Sequence, residues 1–374
     1  MSLSIDITGL PAERIVFGTS PLAELAVALH ALSEPGHHPG VQGWVTATTA
    51  ALKPDLADRL TQADFLWRNT FSDIFMPFAA LPECDGHPGA TLSEDLDLLD
   101  RLSDERFVAA ALEFTCGSQY AAGLPSPLVD KAQHDLALDL AASRGPEQLG
   151  FTRRLLADPT TVRAWVRRLL EDCDEAFFAD TWQRVHAHLT ADARHKTEIL
   201  RHKGLEEALT AVSAALSLTG SGGGTRIEAD KLSHGTTTAV DPEVGPGVTF
   251  VPSYHGWPHL MVLHAAGWRP VLHYPVGGPA PTKSASVEVL KLRLEALAHP
   301  IRLRLCRNIA RAPYTTGELA HANDLSAPEV SRHLAVLKKA GLITTRRRGR
   351  YVLHQLDVTV VARLGSDFLE GILR

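Results

Sequence analysis

Hydrogen-bonding and basic side chains are concentrated near the C-terminus. Within residues 326–341 the small Ala327 and Ser331 precede Arg332, and Lys338 follows six residues after it. Short side chains let a helix backbone approach a groove, hydroxyl and guanidinium groups bond to base edges, and cations suit phosphates. These residue types predict contact with double-stranded DNA. The predicted contact residues are Thr315, Thr316, Ser326, Ala327, Pro328, Glu329, Ser331, Arg332, His333, Lys338, Arg346, Arg347, Arg348 and Arg350.

One helix must position the contact residues between 326 and 338, and the sequence encodes both of its ends. Ser326 is a strong N-cap residue, and Glu329 stands three positions later, as in a capping box. Gly341 occupies the place of a left-handed residue after the last turn. Apolar residues recur at i, i+4 and i+7 along one face; they are Val330, Leu334 and Leu337. The pattern predicts a helix over residues 326–340 with one buried and one exposed face.

The flanking segments complete a larger motif. Residues 315–323 predict a short helix opened by Thr315 or Thr316, and residues 323–325 a tight turn, so together they indicate helix-turn-helix. Residues 342–347 and 350–356 alternate like strands around Gly349, which predicts a hairpin with four arginines at its tip. Such a wing suits phosphate or minor-groove contact. A solvated hairpin behind a structural helix pair is the alternative interpretation.

At these residues the chain resembles the ArsR-type winged helix-turn-helix regulators. The matching segments are residues 297–305, 317–320, 325–343 and 346–356. The resemblance implies a homodimeric repressor that binds a palindromic operator. Some members of that family sense metals through a cysteine pair, whose positions here hold Thr315 and Gly317, and residues 358–373 contain no histidine. We therefore predict no metal site and no cofactor.

Two helices of this module carry apolar residues on more than one face, which predicts that each buries a second surface. In the first helix these residues are Val289, Leu290, Leu292, Leu294 and Leu297. In the last they are Val358, Val361, Leu364, Phe368 and Leu369. ArsR-type proteins commonly form their subunit interface with these helices, so the resemblance implies a homodimer.

Charge is distributed unevenly along the 374 residues. Residues 285–374 hold 15 Lys/Arg and 8 Asp/Glu, a net charge of +7, whereas residues 1–284 hold 22 and 35, a net charge of −13. A basic module joined to an acidic one confines DNA contact to the C-terminal part. The four cysteines form no CxxC pair and no apolar run reaches the length of a membrane span, so we predict a cytoplasmic protein without membrane association.

The predicted fold is mainly α with a small β-rich part. Residues 1–218 predict a mostly helical sensor or dimerisation domain, residues 219–284 a small β-rich segment and linker, and residues 285–374 the winged helix-turn-helix domain. Pro21, after Thr19 and Ser20, marks the start of the first long helix. Residues 219–225 predict a flexible break, and five short strands in one small sheet follow between residues 226 and 274.

The β-rich segment also holds the candidates for binding a small-molecule effector. They are Tyr254, His255, Trp257 and Trp268. His255 and His259 have a spacing that suits a metal, but Gly256 and Pro258 exclude the helix face that usually presents such a pair. A packed aromatic sheet that forms one wall of an effector pocket is the favoured interpretation.

Two other function classes remain open at this point. The large domain could dock a protein partner, which would make the chain a constitutive DNA-binding protein. An enzyme fused to a DNA-binding module is less favoured, because GxSxG, HExxH and GxxxxGK[ST] motifs are missing. Residues 14–32, 247–260 and 271–278 resemble the long N-terminal region of actinobacterial ArsR-type regulators, which implies the architecture and no ligand.

Overall fold

The chain divides into two compact units. The computed structural model describes residues 2–68, 71–116, 125–213, 215–221, 224–230, 235–257, 259–276, 287–348, 351–365 and 368. Met1–Ser33 and Gly43–Gly277 form the N-terminal unit, and Glu34–Gln42 and Gly278–Arg374 form the C-terminal unit. The predicted fold class, mainly α with a smaller β-rich part and a C-terminal winged helix-turn-helix, is confirmed. The three-part division of the chain stays a prediction.

Helices make up most of the N-terminal unit. They are α1 (Pro21–Ser33), α2 (Gln42–Ala51), α3 (Pro54–Ala63), α4 (Leu92–Asp100), α5 (Asp104–Cys116), α6 (Lys131–Arg144), α7 (Pro146–Ala157), α8 (Pro159–Cys173), α9 (Ala179–Lys203) and α10 (Leu205–Val212). The start of α1 at Pro21 confirms the predicted boundary, and residues 21–31 are all buried. A π-helical segment, Asp174–Phe178, joins α8 to α9 without a break. The apolar faces of α1, α3–α5, α7 and α8 meet in one core.

Among the described residues, eight strands complete this unit. They are β1 (Ser2–Asp6), β2 (Ile15–Phe17), β3 (Leu216–Ser221), β4 (Gly224–Asp230), β5 (Gly235–Thr238), β6 (Val248–Ser253), β7 (Met261–Leu263) and β8 (Val271–Pro275). One four-stranded sheet has the order β3-β4-β1-β5, and the other has the order β2-β6-β8-β7. In the second sheet β2, β6 and β8 are parallel, and β7 is antiparallel to β8.

The predicted single small sheet is wrong in its topology. The strands between residues 224 and 275 fall into two sheets, and each sheet takes in one strand from the first 17 residues. Residues 219–221, predicted as part of a flexible break, belong to β3 and pair with residues 224–226 of β4. Glycine-rich sequence does not by itself indicate a flexible linker, because hairpins use the same small residues.

The two faces of the second sheet pack against different helices. Phe250 and Tyr274 pack on the side of α9, where the Tyr274 hydroxyl donates to a carboxylate oxygen of Asp192 at 2.7 Å. Val251 and its register partner His273 point to the other face, toward the helical core and α1. Side chains alternate between faces along a strand, so this mostly parallel sheet is covered by helices on both sides.

His273 is a buried, neutral imidazole. Its side chain is fully buried, and within the part of the chain that the structure describes neither ring nitrogen has a hydrogen-bond partner. Burial lowers the pKa of His273 to about 4, against the opposing charge of Glu24. Because the folded-state pKa lies below the unfolded value, the stability linked to this group is present above about pH 6.5 and is lost as the pH falls.

We expect this group to make the stability of the N-terminal unit pH-dependent. Between about pH 6.5 and pH 4 the wild type should lose up to about 3 kcal/mol relative to a His273→Leu variant, which binds no proton at this position. The raised pKa of Asp95, about 6 because of burial, acts in the opposite direction but cancels in this difference. Urea unfolding of both proteins across this pH range measures it. If the difference in unfolding free energy between the two proteins did not change with pH, His273 could not be a neutral, desolvated group.

The C-terminal unit has the element order of a winged helix. It contains α11 (Val287–Leu297), α12 (Pro300–Ile309), β9 (Tyr314–Thr315), α13 (Thr316–Asn323), α14 (Ala327–Lys339), β10 (Ile343–Arg348), β11 (Tyr351–Leu356) and α15 (Val358–Ala362). The strands form one sheet in the order β10-β11-β9. A core of residues from α11–α14 and β10 holds the unit together. Among the described residues, no helix is both long and apolar enough to span a membrane.

Candidate nucleic-acid interface

Helix α14 has the ends and the buried stripe that its sequence predicts. The Ser326 hydroxyl accepts a hydrogen bond from the backbone N–H of Glu329 at 3.4 Å, as an N-cap does. The predicted capping box is incomplete, because among the described residues the Glu329 carboxylate accepts no bond from the Ser326 N–H. Gly341 has φ of 69°, and the N–H of Leu342 donates to the carbonyl of Leu337 at 3.0 Å. The three residues of the apolar stripe, Val330, Leu334 and Leu337, are buried in the core of the C-terminal unit. This stripe fixes which face of α14 remains outside.

Helix α13 is held against α14 by a cap and a tight turn. Thr315 is its N-cap, and the full reciprocal capping box forms here: Glu318 N–H donates to the Thr315 hydroxyl, and Thr315 N–H donates to the Glu318 carboxylate. The left-handed Asp324, with φ of 54°, ends α13 and turns the chain into α14. The Thr316 hydroxyl lies 3.2 Å from Nε2 of His354 on β11. Thr315 and Thr316 are both half-buried.

The outer face of α14 presents the predicted contact residues. Ser326, Ala327, Pro328, Ser331, Arg332 and Lys338 are exposed, whereas Glu329 and His333 are half-buried. Within the described part of the chain, Arg332 forms no ion pair and donates no hydrogen bond to another side chain. A guanidinium group in this state has all its donors available to a partner, and its fork geometry matches guanine O6 and N7 or a phosphate.

His333 is packed beside a second imidazole. Its ring centroid lies 4.9 Å from that of His299, whose Nδ1 accepts the N–H of Ile301 at the start of α12. Burial lowers the pKa of His333, and the neighbouring His299 and Arg302 lower it further. The imidazole of His333 is therefore neutral at physiological pH, and it can offer a hydrogen bond without adding charge to the face of α14.

The wing is a regular hairpin with a basic strand. Arg346, Arg347 and Arg348 pair in register with Leu353, Val352 and Tyr351. Residue alternation places Arg346 and Arg348 on one face of β10 and Arg347 on the other. All three side chains are exposed, and no ion pair neutralises them among the residues that the structure describes. Arg350, the fourth predicted contact of the wing, lies outside the described residues.

The predicted effector residues lie in the N-terminal unit at two different places. Tyr254 and His255 follow the carboxyl end of β6, with ring centroids 5.2 Å apart. Tyr254 is 45% exposed, whereas His255 is buried. Trp257 is half-buried two residues later, and Trp268 is buried in the helical core before β8.

A buried carboxylate organises the His255 region. Glu24 of α1 is fully buried and accepts hydrogen bonds from Nδ1 of His255 at 2.6 Å and from the N–H groups of Tyr254 and His255 at 3.2 and 3.1 Å. Burial would raise the pKa of Glu24, but the hydrogen bond and charge of His255 lower it below its usual value. The indole of Trp44 covers His255 at 4.5 Å between ring centroids.

Sequence reasoning missed Glu24, although the sequence held a signal for it. The segment PLAELAVALHALS is otherwise apolar apart from His30 and Ser33, and it encodes a helix buried on all sides. A carboxylate in such a helix needs buried donors, because an unpaired buried charge costs several kcal/mol. The signal was the single acidic residue in a helix without a polar face.

Comparison with known families covers nearly the whole chain. A family of unknown function (DUF5937) matches residues 1–280, and a helix-turn-helix domain family matches residues 297–346. Because the first match covers well over half of the chain, the protein belongs to the DUF5937 family. It carries an ArsR-type winged helix-turn-helix at its C-terminus, as the sequence segments predicted.

Two curated relatives each match about a quarter of the chain. The biofilm growth-associated repressor of Agrobacterium fabrum is 34% identical over 86 residues, which cover 23% of this chain and 74% of that protein. The HTH-type transcriptional repressor SmtB of Mycobacterium tuberculosis is 36% identical over 89 residues, which cover 24% and 66%. The solved structure of the repressor BigR from Xylella fastidiosa is 27% identical, with a TM-score of 0.19, over 22% of this chain and 87% of that one.

Proposed function

We propose that this protein is a sequence-specific transcriptional repressor that binds a palindromic operator as a homodimer and responds to a small non-metal effector. The observation that carries the proposal is the exposed face of α14. It combines small residues, an available guanidinium at Arg332 and a cation at Lys338, and the basic strand β10 follows it. The names of the relatives as repressors support the same role.

The predicted contact residues have distinct tasks in this proposal. Ser326, Ala327, Pro328, Glu329, Ser331, Arg332 and His333 lie in the N-terminal half of α14 or at its cap and would face base edges, as recognition helices do. Thr315 and Thr316 at the start of α13, Lys338 and the wing arginines would contact phosphates and fix the register.

Exposed apolar side chains on α11 support the homodimer. Val289, Leu292 and Leu294 are 36%, 40% and 42% exposed, and Phe368 near the C-terminus is 41% exposed. Leu290 is buried and Leu297 is half-buried, so α11 uses one face for its own core and leaves a second apolar face outside. Val358, Val361 and Leu364 are half-buried, and Leu369 lies outside the described residues. Burial of these side chains against a second copy would remove them from water.

The effector role rests on the N-terminal unit. Tyr254, His255 and Trp257 follow β6 near the buried Glu24, and Trp268 lies in the core nearby in sequence. In this proposal effector binding in that unit changes the affinity of the C-terminal unit for DNA.

Selection from random duplex DNA tests the proposal. The full-length protein should enrich inverted repeats whose half-site centres are about 10 base pairs apart, because two recognition helices related by a twofold axis enter successive major grooves. The half-sites are identified by sequencing, and the stoichiometry by sedimentation of the complex. Enrichment of an isolated half-site would contradict the homodimer, and no enrichment would contradict sequence-specific binding.

The wing makes a separate prediction about salt. Replacing Arg346 and Arg348 together by Ala should weaken binding to all sequences alike, because phosphate contacts carry no sequence information. The slope of log affinity against log salt should flatten by about one unit for each phosphate that the variant no longer neutralises. Arg347→Ala, on the opposite face of β10, tests separately whether that face also contacts phosphates. Unchanged slopes in both variants would show that the wing does not touch DNA.

A further inference from the structure

A groove in the N-terminal unit combines positive charge with an aromatic wall. It has a volume of about 420 Å³ and lies between the carboxyl end of β2 and one face of α9. Phe17 and Thr19 line it from the first side, and Arg194, Glu198 and Arg201 line it from the second. Ligands of sheets with parallel strands commonly bind beyond the carboxyl ends of those strands. The groove occupies such a position, and its volume falls in the range of small-molecule sites.

The two arginines give the groove a positive charge. Arg201 donates to the Glu198 carboxylate at 2.9 Å, and this pair is well exposed. His202 also lies 3.1 Å from the other oxygen of Glu198. Arg194 is exposed, and among the described residues it has no ion pair or hydrogen bond. The lining therefore holds two guanidinium groups and one carboxylate, and the donors of Arg194 remain available to an anion.

The N-terminus of α1 does not supply hydrogen-bond donors to the groove. The N–H of Leu22 in its first turn donates to a carboxylate oxygen of Asp95 at 3.2 Å, and the Ser20 hydroxyl donates to the same oxygen at 2.9 Å. Asp95 is buried and thus already occupies this helix N-terminus. An anion in the groove would depend on the side chains of α9, and Arg194 would be its main contact.

Phe17 supplies the apolar part. Its half-buried ring stacks on Phe250 of β6, with centroids 4.7 Å apart and an angle of 20° between the planes. The stack fixes the ring in the groove wall, so a flat ligand could lie against it without ordering a mobile side chain. Ala193 lies on the same face of α9 and adds a small apolar surface.

We propose that this groove binds a small organic anion with a planar ring, which places its acidic group on Arg194 and Arg201 and its ring against Phe17. The inference rests on the proposed effector role of the N-terminal unit and gives that effector a chemical class. It places the effector in this groove, whose lining does not include Tyr254, His255, Trp257 or Trp268. A carboxylate and a phosphate monoester share the recognised chemistry, because a guanidinium group bonds either one through two oxygens.

Fluorine NMR on the full-length protein tests the site with defined probes. Fluorobenzoate and fluorophenyl phosphate represent the two acids, and fluorobenzyl alcohol is the neutral control. We expect the fluorine signals of one or both acids to broaden at millimolar concentration and the alcohol signal to remain sharp. Comparison of the two acids identifies which acidic group the site prefers.

Matched variants locate the site. Arg194→Gln should weaken binding of the acid by about tenfold, the scale of one charge-assisted hydrogen bond. Arg184→Gln is the control, because Arg184 is exposed on the same helix and lies outside the groove; among the described residues it donates only to Thr181. Equal effects of the two substitutions, or no binding of either acid, would overturn the proposal.

Operator affinity, measured with and without the bound acid, separates this inference from the proposed function. Binding that depends on Arg194 but leaves operator affinity unchanged would support the anion site and contradict its role as the effector site. If the protein selects an operator but binds neither acid, the anion site is wrong and the DNA-binding function stands.

Discussion

Replacing Glu24 by alanine is expected to destabilise the N-terminal unit by about 3–5 kcal/mol, the usual cost of removing one partner from a buried, hydrogen-bonded pair. The carboxylate accepts three hydrogen bonds, from Nδ1 of His255 and from the N–H groups of Tyr254 and His255. The ring of His255 and the carboxylate are both buried. The variant would leave these donors in the interior without an acceptor and without access to water.

Tryptophan fluorescence during urea unfolding measures this effect in the full-length protein. All six tryptophans fall in the N-terminal unit, so the signal reports that unit separately from the C-terminal one. Glu198→Gln is the control, since Glu198 is an exposed carboxylate that also contacts a histidine, and such surface pairs contribute about 0–1 kcal/mol. If Glu24→Ala lowered the free energy of unfolding no more than the control does, water would have to reach the site where Glu24 meets His255.

Arg332→Ala is expected to weaken binding to the selected operator by about 1–3 kcal/mol, which is the scale of one bidentate base contact. The side chain is exposed on the outer face of α14 and has no partner among the residues described. Its removal would therefore alter the complex with DNA and leave the fold of the C-terminal unit intact. Competition between the selected operator and variants changed at single base pairs measures affinity and preference together.

Arg332→Lys separates base recognition from charge. Lysine keeps the positive charge but lacks the planar fork, so it could not form the bidentate bond to a base, whereas it could largely replace arginine at a phosphate. We expect Arg332→Lys to lose preference at one base pair per half-site and to retain the salt dependence of the wild type. If both variants kept the full sequence preference, Arg332 would have no role in reading bases.

The sequence by itself determined the winged helix-turn-helix. Ser326, Gly341 and the stripe from Val330 to Leu337 encode both ends and the inner face of α14, and the structure places them accordingly. The wing follows from alternation across residues 342–356. These features are local: caps, helical period and turn residues act within a few positions, so they can be read without knowing what packs against them.

The start of α1 is also determined by nearby residues, but the packing around α1 is determined by distant ones. Pro21 marked the boundary, whereas the burial of every face of α1 depends on helices and strands far away in the chain. The partner of Glu24 depends on the tertiary structure, because His255 follows the carboxyl end of β6 and is 231 residues away in sequence.

Tertiary structure alone decided how the N-terminal unit is assembled. β1 pairs with β4 and β5, and β2 pairs with β6, which joins the first 17 residues to strands more than 200 positions later. The groove beside Arg194 likewise brings residues 17–19 to a face of α9. Short apolar strands are compatible with many partners and registers, and the choice is made by which faces the whole unit can bury together.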